Sequence, residues 1–185
     1  MVTKPSGKGD PQDPLQAQLI SLLQQGNAHI DFESALKGFP ISQRSTRPAD
    51  SPHSAWQLLE HLRLAQADIL EFSRDGRHKS PKWPEGYWPE REAPPDSRAW
   101  GRTVRAFEKD RAAFIELLAK AEDLLQPIPY APDGQTLLQE VLTLADHNSY
   151  HLGQFMLLRR MLELGDKRAR TRGIKKSKLE TSSEG

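Results

Sequence analysis

Apolar side chains recur every three or four residues in four stretches of the chain, the spacing that places them on one face of an α-helix. The predicted helices cover four ranges: 14–36, 54–74, 97–125 and 135–164. A glycine or proline stands at or just beyond the end of each: Gly38, Gly76, Pro127 and Gly165. No stretch alternates apolar and polar residues for long enough to predict a sheet. The pattern therefore predicts an all-α fold, a four-helix bundle.

The connection between the second and third predicted helices differs from the others. Residues 76–96 carry five prolines together with the aromatic residues Trp83, Tyr87 and Trp88. A loop of this length inside a compact domain usually has a function or packs over a pocket. Two interpretations stay open at this point: the loop lines a functional site, or its aromatic side chains only cover one end of the core.

Both ends of the chain are polar. Residues 166–185 contain seven Lys or Arg residues and three acidic ones, with few apolar side chains. Such a composition cannot bury enough apolar surface to fold by itself. The sequence thus predicts a flexible N-terminus over residues 1–13, a helical bundle over residues 14–165, and a basic, disordered tail over residues 166–185.

Composition limits the location and the partners of the protein. No apolar run is long enough for a membrane span, and the N-terminus lacks the apolar stretch of a secretory signal, so we expect a cytoplasmic protein without membrane contact. The net charge is only +1, and a mildly acidic body with a basic tail is not typical of a nucleic-acid-binding domain. The chain has no cysteine, so any metal would be held by imidazole, carboxylate or amide oxygen.

The fourth predicted helix carries two histidines four residues apart. His147 and His151 lie one turn apart on the same face, so both imidazoles can approach a single metal ion. His151 also lies on the apolar stripe, where an unpaired imidazole is costly to bury. Zinc proteases need a glutamate directly after the first histidine as general base. Asn148 stands at that position and cannot take a proton, which argues against a metalloprotease.

His61 is the third candidate ligand. It borders the apolar stripe of the second predicted helix. If that helix neighbours the fourth, three imidazoles meet in the bundle interior. Three neutral nitrogen ligands with an open position are typical of a catalytic rather than a structural metal site. The donor set suits zinc, nickel or iron, and zinc and nickel are the leading candidates.

Three further polar residues are candidates for the wall of a pocket beside the metal. His29 and Glu33 fall on the inward stripe of the first predicted helix, and Asn148 lies between the two paired histidines. Each has an alternative structural interpretation. His29 is better explained as a core histidine bonded to a neighbour than as a metal ligand, and Glu33 as the ion-pair partner of Arg111 than as a contact for substrate. The sequence identifies no general acid or base.

Two motifs resemble those of the DinB family, the DinB/YfiT-like metalloenzymes. They are Trp56-Gln-Leu-Leu-Glu-His61-Leu and Asp146-His147-Asn-Ser-Tyr-His151-Leu-Gly-Gln. The resemblance covers roughly residues 29–164. It implies a four-helix bundle in which one histidine of the second helix and two of the fourth hold a metal, and these map onto His61, His147 and His151. Some members are transferases or isomerases that use low-molecular-weight thiols, and members are often dimers, so the resemblance also implies a homodimer.

The leading functional hypothesis is a metal-dependent enzyme acting on a small molecule. In one version it is a thiol-dependent S-transferase or isomerase, in which an exogenous low-molecular-weight thiol attacks a small electrophile. A first alternative is a non-catalytic metal-binding or stress-response module. A second gives the function to the basic tail as a tether to a polyanion, with salt-dependent, sequence-independent affinity.

Overall fold

The structure, a computed structural model, describes residues 13–48 and 51–181, and over these it consists of helices and loops. The elements are α1 (Pro14–Gln25), α2 (Phe32–Leu36), α3 (Ala55–Arg74), α4 (Ala99–Lys120) and α5 (Leu137–Thr181). Short 3-10 helices occur at Ile41–Gln43 and Glu85–Tyr87. No strand forms in this part of the chain, and a single bridge pairs Pro127 with Thr136. The prediction of an all-α fold is confirmed.

The central helix is α3, which packs against both α4 and α5. Apolar side chains of these three helices, of α1 and α2, and of the loop after α2 form two buried clusters. One contains Phe32, Phe39, Trp56, Leu59, Phe107 and Phe155, and the other contains Leu19, Leu70, Phe114, Leu118 and Leu144. Gln66 joins the three helices, because its buried amide donates to the Phe107 carbonyl at 2.6 Å and accepts from Asn148 at 3.4 Å. No helix in the described ranges is both long and apolar enough to cross a membrane.

The first predicted helix, residues 14–36, is wrong as a single element. It is divided at Gly26, whose φ of +57° and close approach to His29 favour glycine. Asp31 then caps α2 by accepting from the Ser34 amide at 2.7 Å. The apolar periodicity runs across this break, so the pattern alone does not reveal it. Leu15, near the start of α1, is 43% exposed.

The boundaries of the last two helices also differ from the prediction. α4 ends at Lys120, and the following loop buries Leu124 and Ile128. Gly165 does not end α5, whose helical backbone continues to Thr181. A glycine inside a helix costs only about 1 kcal/mol, and no proline follows Gly165 to stop the helix. The backbone is thus helical over much of the predicted disordered tail. The predicted flexible N-terminus lies, apart from Asp13, outside the described residues.

Ser54 fixes the start of α3 and also holds the long loop. Its hydroxyl accepts from the Gln57 amide at 3.2 Å and donates to the Glu92 carbonyl at 2.6 Å, while Gln57 Oε1 accepts from the Ser54 amide. We expect Ser54→Ala to lower the free energy of unfolding by about 1–2 kcal/mol, because both partners lose a hydrogen bond. Urea denaturation measures this. Ser42→Ala, at an exposed position, is the matched control, and an unchanged midpoint for Ser54→Ala would contradict the prediction.

Candidate metal centre

Helices α3 and α5 bring three histidines together in the protein interior. Nε2 of His61 lies 3.0 Å from Nε2 of His151 and 3.0 Å from Nε2 of His147. The candidate ligand atoms of all three lie within 4.8 Å of one another. His61 is 1% exposed and His151 is 8% exposed. The three histidines predicted as metal ligands from the sequence therefore form one cluster, which could hold a metal ion.

Hydrogen bonds to the opposite ring nitrogens fix the tautomers of two of these imidazoles. Nδ1 of His61 donates to the Tyr87 carbonyl at 2.8 Å, and Nδ1 of His151 donates to Gln154 Oε1 at 2.9 Å. A neutral imidazole with its proton on Nδ1 presents a lone pair at Nε2. His61 and His151 therefore face each other with two lone pairs and no proton between them. A cation would turn this repulsive contact into two bonds, so the donor set fits a metal.

The spacing of the nitrogens is also suitable for a metal. Bonds of about 2.0–2.1 Å at tetrahedral angles place the ligand nitrogens of zinc about 3.3 Å apart. The two separations of 3.0 Å that His61 makes are close to this value. His147 Nδ1 is buried and makes no hydrogen bond to the described residues.

Burial keeps all three imidazoles in the form that binds metal. Desolvation lowers the pKa of His61 to about 4, with the bond to Tyr87 acting in the opposite direction and the two neighbouring histidines lowering it further. Burial also lowers the pKa of His147 to about 4 and lowers that of His151. Metal ions bind the unprotonated imidazole, so at neutral pH the cluster does not have to lose protons first.

The proline-rich loop lies directly on this cluster. The Trp88 ring stacks on His61 with a centroid distance of 3.8 Å and an angle of 2° between the ring planes. His53 stacks on Trp88 at 3.7 Å. Together with the Tyr87 carbonyl, these contacts fix the position and rotation of the His61 ring. Of the two interpretations of the loop, the contacts favour the one in which it forms part of a site.

A partly buried hydrogen-bond network holds the loop against α3. Asp68 Oδ2 accepts from the Tyr87 hydroxyl at 2.6 Å, and Asp68 Oδ1 lies 2.6 Å from His78 Nε2. Burial and the adjacent Asp68 raise the pKa of Tyr87 to about 12, so the phenol stays protonated and keeps donating. Asp68 therefore holds His78, whose side chain is only partly exposed. Asp68 contacts both His78 and Tyr87, the two ends of a loop segment that no sequence pattern connects to α3.

The candidate pocket residues are not all found in one place. His29 and Asn148 line a small cavity of about 30 Å³ together with Ser149 and Arg111, which is enough for about one water molecule. His29 is exposed and bonds to Ser149 Oγ at 2.8 Å and to the Ile30 carbonyl. It lies between α1 and α2 and not on an inward helical stripe. Glu33 does not line this cavity.

The structural interpretation of Glu33 is confirmed. Its carboxylate pairs with Arg111, which joins α2 to α4. Asn148, which lines the small cavity with His29, also donates its amide to Gln66 inside the bundle. Its Oδ1 is buried without a hydrogen-bond partner in the described part of the chain.

Sequence reasoning missed the outer residues of the cluster. Gln154 follows His151 by three positions and Asp68 follows His61 by seven, so helical spacing could have placed each on the face of its histidine. No comparable signal exists for Tyr87, because it contributes a backbone carbonyl, which every residue has.

Comparison with known families agrees with this geometry. A family model described as the DinB superfamily matches residues 27–155, a range that contains all three histidines. The chain belongs to the DinB superfamily. Neither curated proteins nor solved structures give a match. Membership confirms the resemblance carried by the two histidine motifs.

Proposed function

We propose that the protein is a metal-dependent enzyme whose His61, His147 and His151 hold one divalent transition metal ion, zinc or nickel. The observation that carries the proposal is the 3.0 Å distance between Nε2 of His61 and Nε2 of His151, in two rings whose Nδ1 atoms both hydrogen-bond to oxygens. Three neutral nitrogen donors leave at least one coordination position for a substrate, a pattern typical of catalytic rather than structural sites.

Such an ion supplies Lewis acidity and lowers the pKa of a coordinated water or thiol, which makes a nucleophile available at neutral pH. The protein's own residues provide orientation. The Tyr87 carbonyl and Gln154 hold the His61 and His151 rings by their Nδ1 protons, and Trp88 covers one face of His61. Partners of this kind fix the direction of a ligand and raise its basicity.

We favour a reaction in which a low-molecular-weight thiol acts on a small electrophile. The thiol is either transferred to the electrophile or assists its isomerisation. The chain contains no cysteine, so the sulfur nucleophile has to come from a co-substrate. The absence of cysteine also means that no thiol of the chain competes with that co-substrate for the metal. This version is supported by family membership and by the donor set.

Elemental analysis of the purified protein tests the metal centre. We expect about one equivalent of a transition metal in the wild type and a nearly complete loss in His151→Ala, since two ligands cannot retain the ion against dialysis. His29→Ala is the matched control, because His29 is exposed and lies outside the cluster. Circular dichroism shows whether each variant is folded. A wild-type protein that neither contains metal nor takes up zinc or nickel would refute the proposal.

The thiol is tested in the cobalt-substituted protein. A thiol that binds the metal gives a sulfur-to-cobalt charge-transfer band in the near ultraviolet, and we expect this band on addition of small thiols to the wild type but not to His151→Ala. A protein that holds metal firmly, shows no such band and turns over no electrophile would instead be the non-catalytic metal-binding module.

A further inference from the structure

A second cavity lies beside the histidine cluster, between the segment that precedes α3 and the middle of α5. Its volume is about 440 Å³, within the range of about 300–1,000 Å³ that is usual for small-molecule sites. Most of its wall is apolar and comes from Leu58, Leu157, Leu158 and Met161, and its polar side chains include His53 and Gln154. No Asp, Glu, Lys or Arg is among its described lining residues.

Side chains on the polar side of this cavity contact either the histidine cluster or the Trp88 ring that packs on it. Gln154 accepts a hydrogen bond from His151 Nδ1 at 2.9 Å. His53 stacks on Trp88 at 3.7 Å, and Trp88 in turn stacks on His61 at 3.8 Å. A single ring, that of Trp88, therefore lies between His53 in the cavity wall and the candidate metal ligand His61.

We propose that this cavity binds the apolar part of the substrate, while the polar head of the same molecule reaches the metal held by the cluster. The inference rests on the proposed metal centre and adds the substrate class. That class is a small compound with an uncharged aliphatic or aryl tail and an oxygen or sulfur head. An uncharged tail follows from the lining, because a charged tail would lose its hydration without gaining a counter-charge.

Exposure of the outer wall supports an apolar occupant. Leu157 is 60% exposed and Met161 is 38% exposed, one helical turn apart on the same face of α5. Burial of these side chains by a ligand would stabilise the complex in proportion to the apolar area covered. Hydrogen-bonding groups at one end of an apolar cavity would also orient the ligand with its head toward the metal.

Alkyl hydroxamates of increasing length test the proposal, because the hydroxamate binds a metal ion and the chain measures the cavity. Isothermal titration of the zinc-loaded protein is carried out with acetohydroxamate and hexanohydroxamate. Each fully buried methylene tightens binding by up to about fourfold. Since the cavity is open on one side, we expect hexanohydroxamate to bind at least about tenfold more tightly than acetohydroxamate.

Two polar variants test whether the alkyl chain of the longer hydroxamate binds in this cavity. Leu157→Gln and Met161→Gln change exposed side chains of the wall, so both proteins should fold. We expect each to reduce the advantage of the longer hydroxamate to below about threefold and to leave acetohydroxamate affinity unchanged. Leu142→Gln is the matched control, because Leu142 is 49% exposed on the same helix and does not line the cavity.

Three outcomes would overturn the inference. Equal affinities for the two hydroxamates in a protein that binds zinc would refute the cavity and leave the metal centre standing. A protein that binds neither zinc nor acetohydroxamate would refute both. If Leu157→Gln halves the mass in sedimentation equilibrium but leaves hydroxamate binding unchanged, the exposed wall is an interface between two copies of the chain.

Discussion

Zinc at about 100 times its dissociation constant is expected to stabilise the wild-type protein by about 2.7 kcal/mol, and His61→Ala is expected to abolish this gain. The ion binds the folded protein because His61 meets His147 and His151, which lie about 90 positions further along the chain, only in the folded cluster. For a protein of this size the gain corresponds to a rise in Tm of about 5–10 °C. Replacing His61 removes the central ligand, whose Nε2 lies 3.0 Å from each of the other two.

The measurement is thermal denaturation with and without zinc after removal of bound metal by a chelator. The difference between the two conditions is the relevant quantity, since His61→Ala also opens a cavity in the core and lowers stability in both. His29→Ala serves as control and is expected to keep the full gain. A His61→Ala protein that zinc stabilises as much as the wild type would show that the ion binds elsewhere, and the proposed centre would be wrong.

Tyr87→Phe and Asp68→Asn are expected to weaken zinc binding by about 10–100-fold, although neither residue is a candidate ligand. The Tyr87 hydroxyl donates to Asp68 at 2.6 Å, and the backbone carbonyl of the same tyrosine accepts from His61 Nδ1 at 2.8 Å. Loss of the side-chain bond loosens the loop, so the carbonyl no longer holds the imidazole in the direction of the metal. The effect is smaller than that of losing a ligand because the three nitrogens remain.

Competition with a chromophoric chelator measures this loss of affinity. The visible spectrum of the cobalt-substituted variants should shift as well, which a change in stability alone would not cause. Tyr130→Phe is the matched control, since Tyr130 is 40% exposed and belongs to the loop between α4 and α5. Affinities of Tyr87→Phe and Asp68→Asn within about twofold of the wild type would show that the loop covers the cluster without orienting it.

The local spacing of apolar residues was sufficient to predict most of the helices. The helical face of α3 is readable because Leu58, Leu62 and Ala65 are spaced at one turn and are all buried, and Ser54 and Gln57 form a capping box that marks its start. Such signals involve residues within four positions of each other, where geometry follows directly from the helix. The spacing of apolar residues did not predict the break at Gly26, because it carries no information about a backbone turn inside the spaced stretch.

The sequence by itself also determined which imidazoles could meet. The spacing of His147 and His151 on α5, and the position of His61 beside the stripe of α3, left few other ligand sets in a chain without cysteine. That the two helices are neighbours, however, depends on packing between residues about 90 positions apart, as in the His61–His151 contact.

Only the tertiary structure decided what surrounds these imidazoles. The Tyr87 carbonyl, the Trp88 ring and the Asp68 network join a loop to a helix that precedes it, and a carbonyl acceptor has no signature in sequence because every residue carries one. The cavity next to Gln154 likewise depends on how the segment before α3 packs against α5. Ligand identity is thus encoded by residue type and local spacing, whereas ligand orientation and the space for a substrate arise from contacts that form only when the chain is folded.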